Sequence, residues 1–551
     1  MHPRPLALLA LVVLAACAPA IAPSEEGIAP EAAALSGLST DALLDSLPLR
    51  DRIAQIVMPW IGGGYTAFDE AGFERAARWV DSLHVGGIII SIGSPLDVAA
   101  RLNRLQRLSP LPLLVASDLE SGTTFRLVGG TPFPPNMGVG ATGSEKDAYQ
   151  VGRVTALEGR AVGIHVTFAP VADINNNPAN PIINTRSFGE DPELVARLVG
   201  AAVEGIQDNG MIAAAKHFPG HGDTGTDSHL SLPVIGAGWA RLDSIELVPF
   251  RAAVDADVAM VMSAHIALPQ IDSGHTRPAT VAPNVLTGIL RDSLGFDGIT
   301  VTDALNMGGL VNSYGPGRAT VLAFLAGADL LLQPADPAVA IDAMEAAVES
   351  GEISEERLNA SVRKILELKR DLGLFDRRTV ELDSVGTVVG STEFQERAEE
   401  IGQRAVVLAR DATGVVDSLR AAPRTITLVT YADDNASGIG NALAAELRAA
   451  GHTVTMFRLW PASGSAAYDS ARAAVARAPY AVFAPAVRAS AWRGTIALPD
   501  SLAALINATA QSRRTVLVSL GTPYMTSQIS AVGSYLLAWA SNATMERAAA
   551  R

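Results

Sequence analysis

The stretch MIAAAKHF, Met211–Phe218, is an apolar run of strand length that ends on two ionisable side chains, Lys216 and His217. Small and aliphatic residues without polar alternation are what a strand covered on both faces requires, as in a parallel sheet. The same pattern recurs upstream and downstream: RIAQIVMPWIG (52–62), VGGIIIS (85–91), LPLLVASD (111–118), IHVTFAPVADI (164–174), VAMVMSAHI (258–266), GITVTDA (298–304) and GADLLLQPA (327–335). Longer amphipathic stretches separate them, such as DPELVARLVGAAVEGIQDNG (191–210), which opens on Asp-Pro and closes on Asn-Gly as a capped helix does. Eight such βα units over about 330 residues predict a (β/α)8 barrel of the TIM type. The alternative built from the same elements is an open, doubly wound sheet. The ends of the runs narrow the search for a site. Asp118 closes the third, Asp173 the fourth, Lys216 and His217 the fifth, His265 the sixth and Asp303 the seventh. In a barrel these ends open onto one face, where active sites form.

At 551 residues the chain exceeds what one core supports. After LKRDLGLFD (368–376) the pattern gives way to a polar connection, and a second series follows: AVVLARD, TITLVTY, TVTMFRL, YAVFAPA, RTVLVSLG and SYLLAW. The expected organisation is a leader over 1–17, a spacer over 18–38, a catalytic barrel over 39–376, a connection over 377–395 and a smaller doubly wound α/β domain over 396–551. The chain ends at Arg551 as a helix begins, so this last domain is expected to be open to extension. Its GIGNAL (438–443) has two glycines at a helix start but lacks the third glycine and the acidic residue of a dinucleotide fingerprint, and local turn chemistry accounts for it better. With 42 basic and 57 acidic residues the formal charge is −15, spread along the chain, which argues against a nucleic-acid partner. The start, MHPRPLALLALVVLAACAP, has a basic residue, a short apolar run and small residues, as a secretory signal does. Its Leu14-Ala15-Ala16-Cys17 looks like a bacterial lipobox, and Cys17 is the chain's only cysteine. The expectation is an exported protein with a lipid on Cys17, held at a bacterial membrane surface and without an internal disulfide.

The run that opened this section continues into a polar loop, KHFPGHGDTGTDSH (216–229), holding three of the nine histidines. His217, His221 and His229 with Asp223 and Asp227 could supply a metal with ligands, but their spacing is not the helical His-Glu-x-x-His, and no metal or other cofactor is expected. Proton transfer needs less. In an extended segment Asp227 and His229 project to one side, so the carboxylate can accept from Nδ1–H, fix the tautomer and aim Nε2 outward. Gly220, Gly222 and Gly225 would let the loop fold over a barrel mouth. Asp303, in GITVTDALNMGG, leaves an apolar strand at the rim, where it is either a helix cap or a nucleophile.

KHFPGHGDTGTDSH, NNPANPIINTRSFGEDP (176–192) and TVTDALNM (300–307) resemble the signatures of glycoside hydrolase family 3, in its two-domain, secreted β-N-acetylhexosaminidase branch. The resemblance spans about residues 45–375. It implies an exo-acting, retaining β-N-acetylglucosaminidase acting on cell-wall fragments or chitin-like oligosaccharides. By motif, it implies that Asp303 is the nucleophile and that His229, assisted by Asp227, is the acid/base. Asp118, Arg126, Arg186, Lys216 and His217 match substrate-binding positions, and His265 joins them as the group that ends the sixth run. The family reads closer to DQEGGRVQR where this chain has DLESGTTFR, with Ser121 and Thr123 in place of Gly and Arg. The other readings are a family 3 β-glucosidase, a phosphorolytic relative, and a carbohydrate-binding lipoprotein without catalysis.

Overall fold

The computed structural model describes residues 37–64, 70–432, 438–489 and 496–551. Cys17, the leader and most of the spacer lie outside the described residues. Among the described residues, nine strands make the first domain: β1 (Val57–Met58), β2 (Trp60–Gly62), β3 (Gly87–Ser91), β4 (Leu114–Ser117), β5 (Val166–Thr167), β6 (Ile212–Phe218), β7 (Met260–Ser263), β8 (Ile299–Val301) and β9 (Leu331–Leu332). Strands β2 to β8 pair in chain order, all parallel. Strand β1 pairs with β9 through Val57 and Leu331, and a bridge from Val301 to Leu330 joins β8 to β9, so the ring closes. Closure excludes the open-sheet alternative.

The first of the eight runs provides two strands because of one residue. Pro59 has no N–H to give to a ladder, so pairing is interrupted there and resumes at Trp60 with a different neighbour. The Pro59 carbonyl is still used, accepting from the Ile89 amide at 2.8 Å. Helices cover the outside of the ring. The predicted helix appears as Pro192–Gln207, with the Asp191 side chain accepting from the Leu194 amide at 2.8 Å and Asp208 at its C-terminal end. Inward and outward side chains of the strands merge into one apolar core with the inner faces of these helices.

The second domain, among the described residues, is built on a six-stranded sheet of β10 (Val407–Asp411), β11 (Thr425–Ala432), β12 (Thr453–Leu459), β13 (Tyr480–Ala486), β14 (Arg514–Ser519) and β15 (Ser534–Leu537). The order is β10-β15-β14-β13-β11-β12, parallel except for β10. Alternate residues of one strand enter different cores: Val429, Ala481 and Phe483 pack on one face, Leu428, Tyr480 and Val482 on the other. Both faces are therefore buried under helices, the doubly wound arrangement the six runs predict. The GIGNAL segment meets an internal carboxylate. Glu546, on the C-terminal helix Ala543–Ala550, accepts from the amides of Gly440, Ala442 and Leu443 at 2.8, 3.0 and 3.3 Å. This helix start is capped by the chain itself, which leaves no place for a pyrophosphate.

The stretch 377–395 runs along the barrel, carries the helix Leu382–Val388 and enters the helix Thr392–Ala405. Asn103 ties it down through reciprocal bonds to the Val380 amide and carbonyl, at 2.9 and 2.8 Å. Among the described residues no helix is long and apolar enough to cross a membrane.

Candidate active site

The carboxyl ends of the barrel strands open onto a cavity of about 880 Å³ whose wall includes Asp118, Arg126, Arg186, Lys216, His217, His229 and Asp303. Its base is an ion cluster. Lys216, leaving β6 and almost fully buried, donates to Asp118 Oδ1 at 2.8 Å and lies 2.7 Å from Glu120 Oε1. Arg186 holds Glu120 through two parallel bonds of 2.8 Å, and Arg126 reaches Asp118 Oδ2 at 3.2 Å. Burial opposes charge on both acids, yet the cations win. Lys216 and Arg126 hold Asp118 below the usual carboxylate range, and Arg186 with Lys216 holds Glu120 well below it. Two carboxylates fixed by three cations form a rigid set of donors and acceptors suited to sugar hydroxyls.

Arg126 owes its position to the loop in which this chain departs from the family pattern. The turn Thr123–Phe125 is anchored where the Thr123 hydroxyl donates to the fully buried Glu158. The same carboxylate takes the Thr131 amide at 3.2 Å and the Gly390 amide at 2.8 Å. Thr123 thus supplies an anchor inside the fold.

A second network stands behind His217. Its Nδ1–H donates to Asp173 Oδ2 at 2.7 Å, and its Nε2 accepts from Arg186 at 3.3 Å, which sets the tautomer. Asp173 also takes the amides of His217 and His221, and despite its burial these contacts keep it below the ordinary carboxylate range. Burial lowers His221 to about 4, so its ring is neutral, with hydroxyls of Thr224 and Ser228 at 2.8 and 3.0 Å. Buried Asn180 donates to the carbonyls of His221 and Gly222, both at 2.9 Å, and so pins the polar loop. Gly222 passes so close to the Ile174 carbonyl that a β-carbon there would sit 1.6 Å from the oxygen.

Asp227 and His229 touch as the sequence predicts, though by different geometry. The segment is a turn, with the Asp227 carbonyl accepting from the amides of Leu230 and Ser231 at 3.0 and 3.2 Å. Asp227 Oδ1 folds back onto the His229 amide at 2.9 Å and its ring Nδ1–H at 2.7 Å. Local competition by an aspartate side chain for amides two residues on favours this turn over an extended segment. Asp227 is buried while the His229 ring is a quarter exposed, so the acid lies behind and the imidazole faces the cavity. The turn rests on the helix Gly308–Tyr314, which follows β8. A β-carbon on Gly308 would lie 3.1 Å from the His229 carbonyl, and one on Gly309 would lie 3.0 Å from that of Ser228. Asp303 sits on the same rim, half-buried, its Oδ1 accepting from the Ala304 amide at 2.7 Å. Burial raises its pKa, but the imidazoles of His265 and His217, that amide and His229 bring it down to about 2. The carboxylate is ionised and lines the cavity together with His217 and His229.

His265 does not reach the cavity wall. It is fully buried, with Thr280 Oγ1 2.8 Å from Nδ1 and the Ala304 carbonyl accepting from Nε2 at 2.9 Å, so it braces the backbone beside Asp303. Burial lowers its pKa and favours the neutral ring. Several lining residues carry no sequence signal. Glu120 follows Asp118 by two and could have been found by the same rim logic. Arg488, Trp539, Ser541 and Asn542 come from the second domain, which closes one side of the cavity. That domain is docked by Asn542, donating to the Phe133 carbonyl at 2.9 Å, and by Tyr524, whose hydroxyl donates to Glu190 at 2.5 Å and accepts from Asn175 at 3.0 Å.

Comparison with known proteins agrees with this architecture. The model of the glycosyl hydrolase family 3 N-terminal domain matches residues 48–368. A β-N-acetylglucosaminidase/β-glucosidase of Cellulomonas fimi is 34% identical over 392 residues, covering 68% of this chain and 69% of that protein. The structure of a glycoside hydrolase family 3 β-N-acetylglucosaminidase from Paenibacillus sp. str. FPU-7 superposes with a TM-score of 0.82 at 33% identity, covering 92% of this chain and 96% of the other. That of a β-glucoside phosphorylase, BglX, superposes with a TM-score of 0.84 at 25% identity, covering 95% and 94%.

Proposed function

The chain belongs to glycosyl hydrolase family 3, and from that premise we propose that it is an exo-acting, retaining β-N-acetylglucosaminidase. The observation that carries the reading is the Asp227–His229 pair seated on the rim that bears Asp303, with His229 and Asp303 lining one cavity. A retaining glycosidase needs a nucleophile for the anomeric carbon and an acid for the departing oxygen. Asp303, ionised at neutral pH, attacks that carbon as the glycosidic C–O bond breaks, and the His229 imidazolium gives its proton to the leaving oxygen. The products of this step are a glycosyl ester on Asp303, a free alcohol and a neutral imidazole. His229 then takes a proton from water as the water oxygen attacks the same carbon, which frees the sugar with retained configuration and restores both groups. Asp227 stabilises the imidazolium without itself being protonated. Asp118, Lys216 and Arg186, with Arg126 and His217 beside them, hold the hydroxyls of the terminal sugar, and the closed base of the cavity limits the enzyme to chain ends. Cell-wall fragments or chitin-like oligosaccharides are the proposed substrates.

Hydrolysis of a 4-nitrophenyl N-acetylglucosaminide well above that of the matching glucoside supports this assignment, and the reverse preference defeats it. Asp303→Ala is expected to abolish turnover of both. A phosphorolytic reading has its own support in the use of an imidazole where a carboxylate would repel phosphate, together with the likeness to a β-glucoside phosphorylase. Release of sugar 1-phosphate in buffered phosphate distinguishes the two. We further propose export and lipid anchoring at Cys17, on a bacterial periplasmic or cell-surface face. Cys17→Ala then releases the protein from the membrane fraction, and an unchanged distribution rejects the anchor.

A further inference from the structure

At the floor of the barrel, away from the cavity, four basic groups gather. Lys369, near the end of the helix Glu355–Asp371, is fully buried and its ammonium donates to Gln55 Oε1 at 2.7 Å. Arg378, nine-tenths buried, donates through Nη1 to the carbonyls of Gln106 and Ser109 at 3.3 and 2.9 Å, while its Nε is buried without a partner. Arg160 lies in the last turn of the helix Glu145–Ala161, and its Nη1 is likewise buried without a partner. His165, buried at the entry to β5, accepts the Val115 amide on Nδ1 at 3.1 Å, so its proton is on Nε2. The turn between Arg160 and His165 lies against the segment that carries Arg378, since a β-carbon on Gly163 would sit 3.7 Å from the Val380 side chain.

Among the described residues none of the four is hydrogen-bonded or ion-paired to a carboxylate. Burial, then Arg378, depresses Lys369 to about 7, and burial with Arg160 and Lys369 takes His165 well below its usual value. Buried charges are ordinarily paired, and a buried N–H donor without an acceptor calls for an ion or a water. The chain has an excess of acidic residues, yet among the described residues no carboxylate is bonded to this group. We infer that the barrel floor holds a small inorganic anion among Lys369, Arg378, Arg160 and His165. The anion lets the basic groups keep their charge and locks the start of the connection to the second domain, through Arg378 and the neighbouring Val380, against the barrel.

The test is the melting temperature of the full chain at constant ionic strength, with sodium chloride or inorganic phosphate replacing sodium gluconate, whose anion is too large for a buried site. A melting point that climbs with the logarithm of chloride or phosphate concentration is expected, the two series separating a halide from an oxyanion. Lys369→Met should remove that dependence and leave hydrolysis unchanged. Equal melting points in all three salts, or the same dependence in Lys369→Met, overturn the site. Crystals of the unaltered protein soaked in bromide guard against a variant that fails to fold. An anomalous peak within hydrogen-bonding distance of Lys369 Nζ and Arg378 Nε is expected if chloride raises the melting point, and no peak there in that case overturns the inference.

Discussion

Replacing Asp227 by asparagine keeps the shape of the turn and removes one charge from behind His229. In the native turn, Oδ1 takes the His229 amide at 2.9 Å and the ring Nδ1–H at 2.7 Å, from a side chain with no solvent access. A hydrogen bond to a charged group contributes about 1.5–3 kcal/mol and a neutral one about 1 kcal/mol. The variant therefore loses roughly 0.5–2 kcal/mol wherever the imidazolium is formed or spent, equivalent to about 2- to 30-fold in rate. If the amide turns its NH2 group toward the ring, Nδ1 must become the acceptor, the outward nitrogen carries the wrong protonation, and the loss grows toward 10⁴-fold, roughly as in other carboxylate–histidine pairs. The assay is kcat/KM for two substrates, one with a 2,4-dinitrophenolate leaving group that departs without a proton and one with a sugar. The loss should fall on the sugar aglycone, with the dinitrophenyl substrate within about 5-fold of wild type. Equal losses on both substrates, or none on either, would refute proton delivery through this pair.

Glu120→Gln leaves Lys216 and Arg186 buried with one counter-charge fewer; a urea titration should show a loss of about 3 kcal/mol, and kcat/KM should fall with it. Gly309→Val pushes against the Ser228 carbonyl and should lower kcat/KM for the sugar-leaving substrate about 10-fold or more through displacement of His229, with the far-ultraviolet circular dichroism unchanged. The pH dependence of the melting point has a definite sign. Asp303 at about 2, with Asp118, Glu120 and Asp173 all below the ordinary range, gives stability that is complete above the unfolded carboxylate pKa of about 4 and is lost as pH falls toward the folded values. His221 at about 4 adds loss that begins as pH drops through about 6.5, so the melting point should decline from there and steepen below pH 4.

Most of the barrel was legible because a strand covered on both faces must be apolar along its whole length, and because a rim tolerates charge. Those two facts mark each run and the ionisable groups that end five of the eight, and they place Asp118, Lys216, His217 and Asp303 around one opening. The split of the first run at Pro59 was not legible as two strands, since a missing N–H matters only once the neighbouring strands are known. The Asp227–His229 contact was anticipated through an extended segment and arises in a turn, where the side chain competes for backbone amides. His265 ends a run like the others, yet its ring turns back to the Ala304 carbonyl, an orientation that depends on Thr280 on another loop. Arg488, Trp539 and Asn542 are brought to the cavity by domain docking through Asn542 and Tyr524, single polar contacts that no local pattern announces.

The division of labour between Asp303 and His229 is tested most directly by trapping the intermediate. A 5-fluoro derivative of an activated N-acetylglucosaminide slows both steps, and mass spectrometry of the digested protein locates the sugar. The account predicts one glycosyl ester on the peptide that contains Asp303, formed in wild type and in His229→Ala. Label on Asp118, Asp227 or any other carboxylate, or turnover through an oxazoline with no label on the protein, would contradict it.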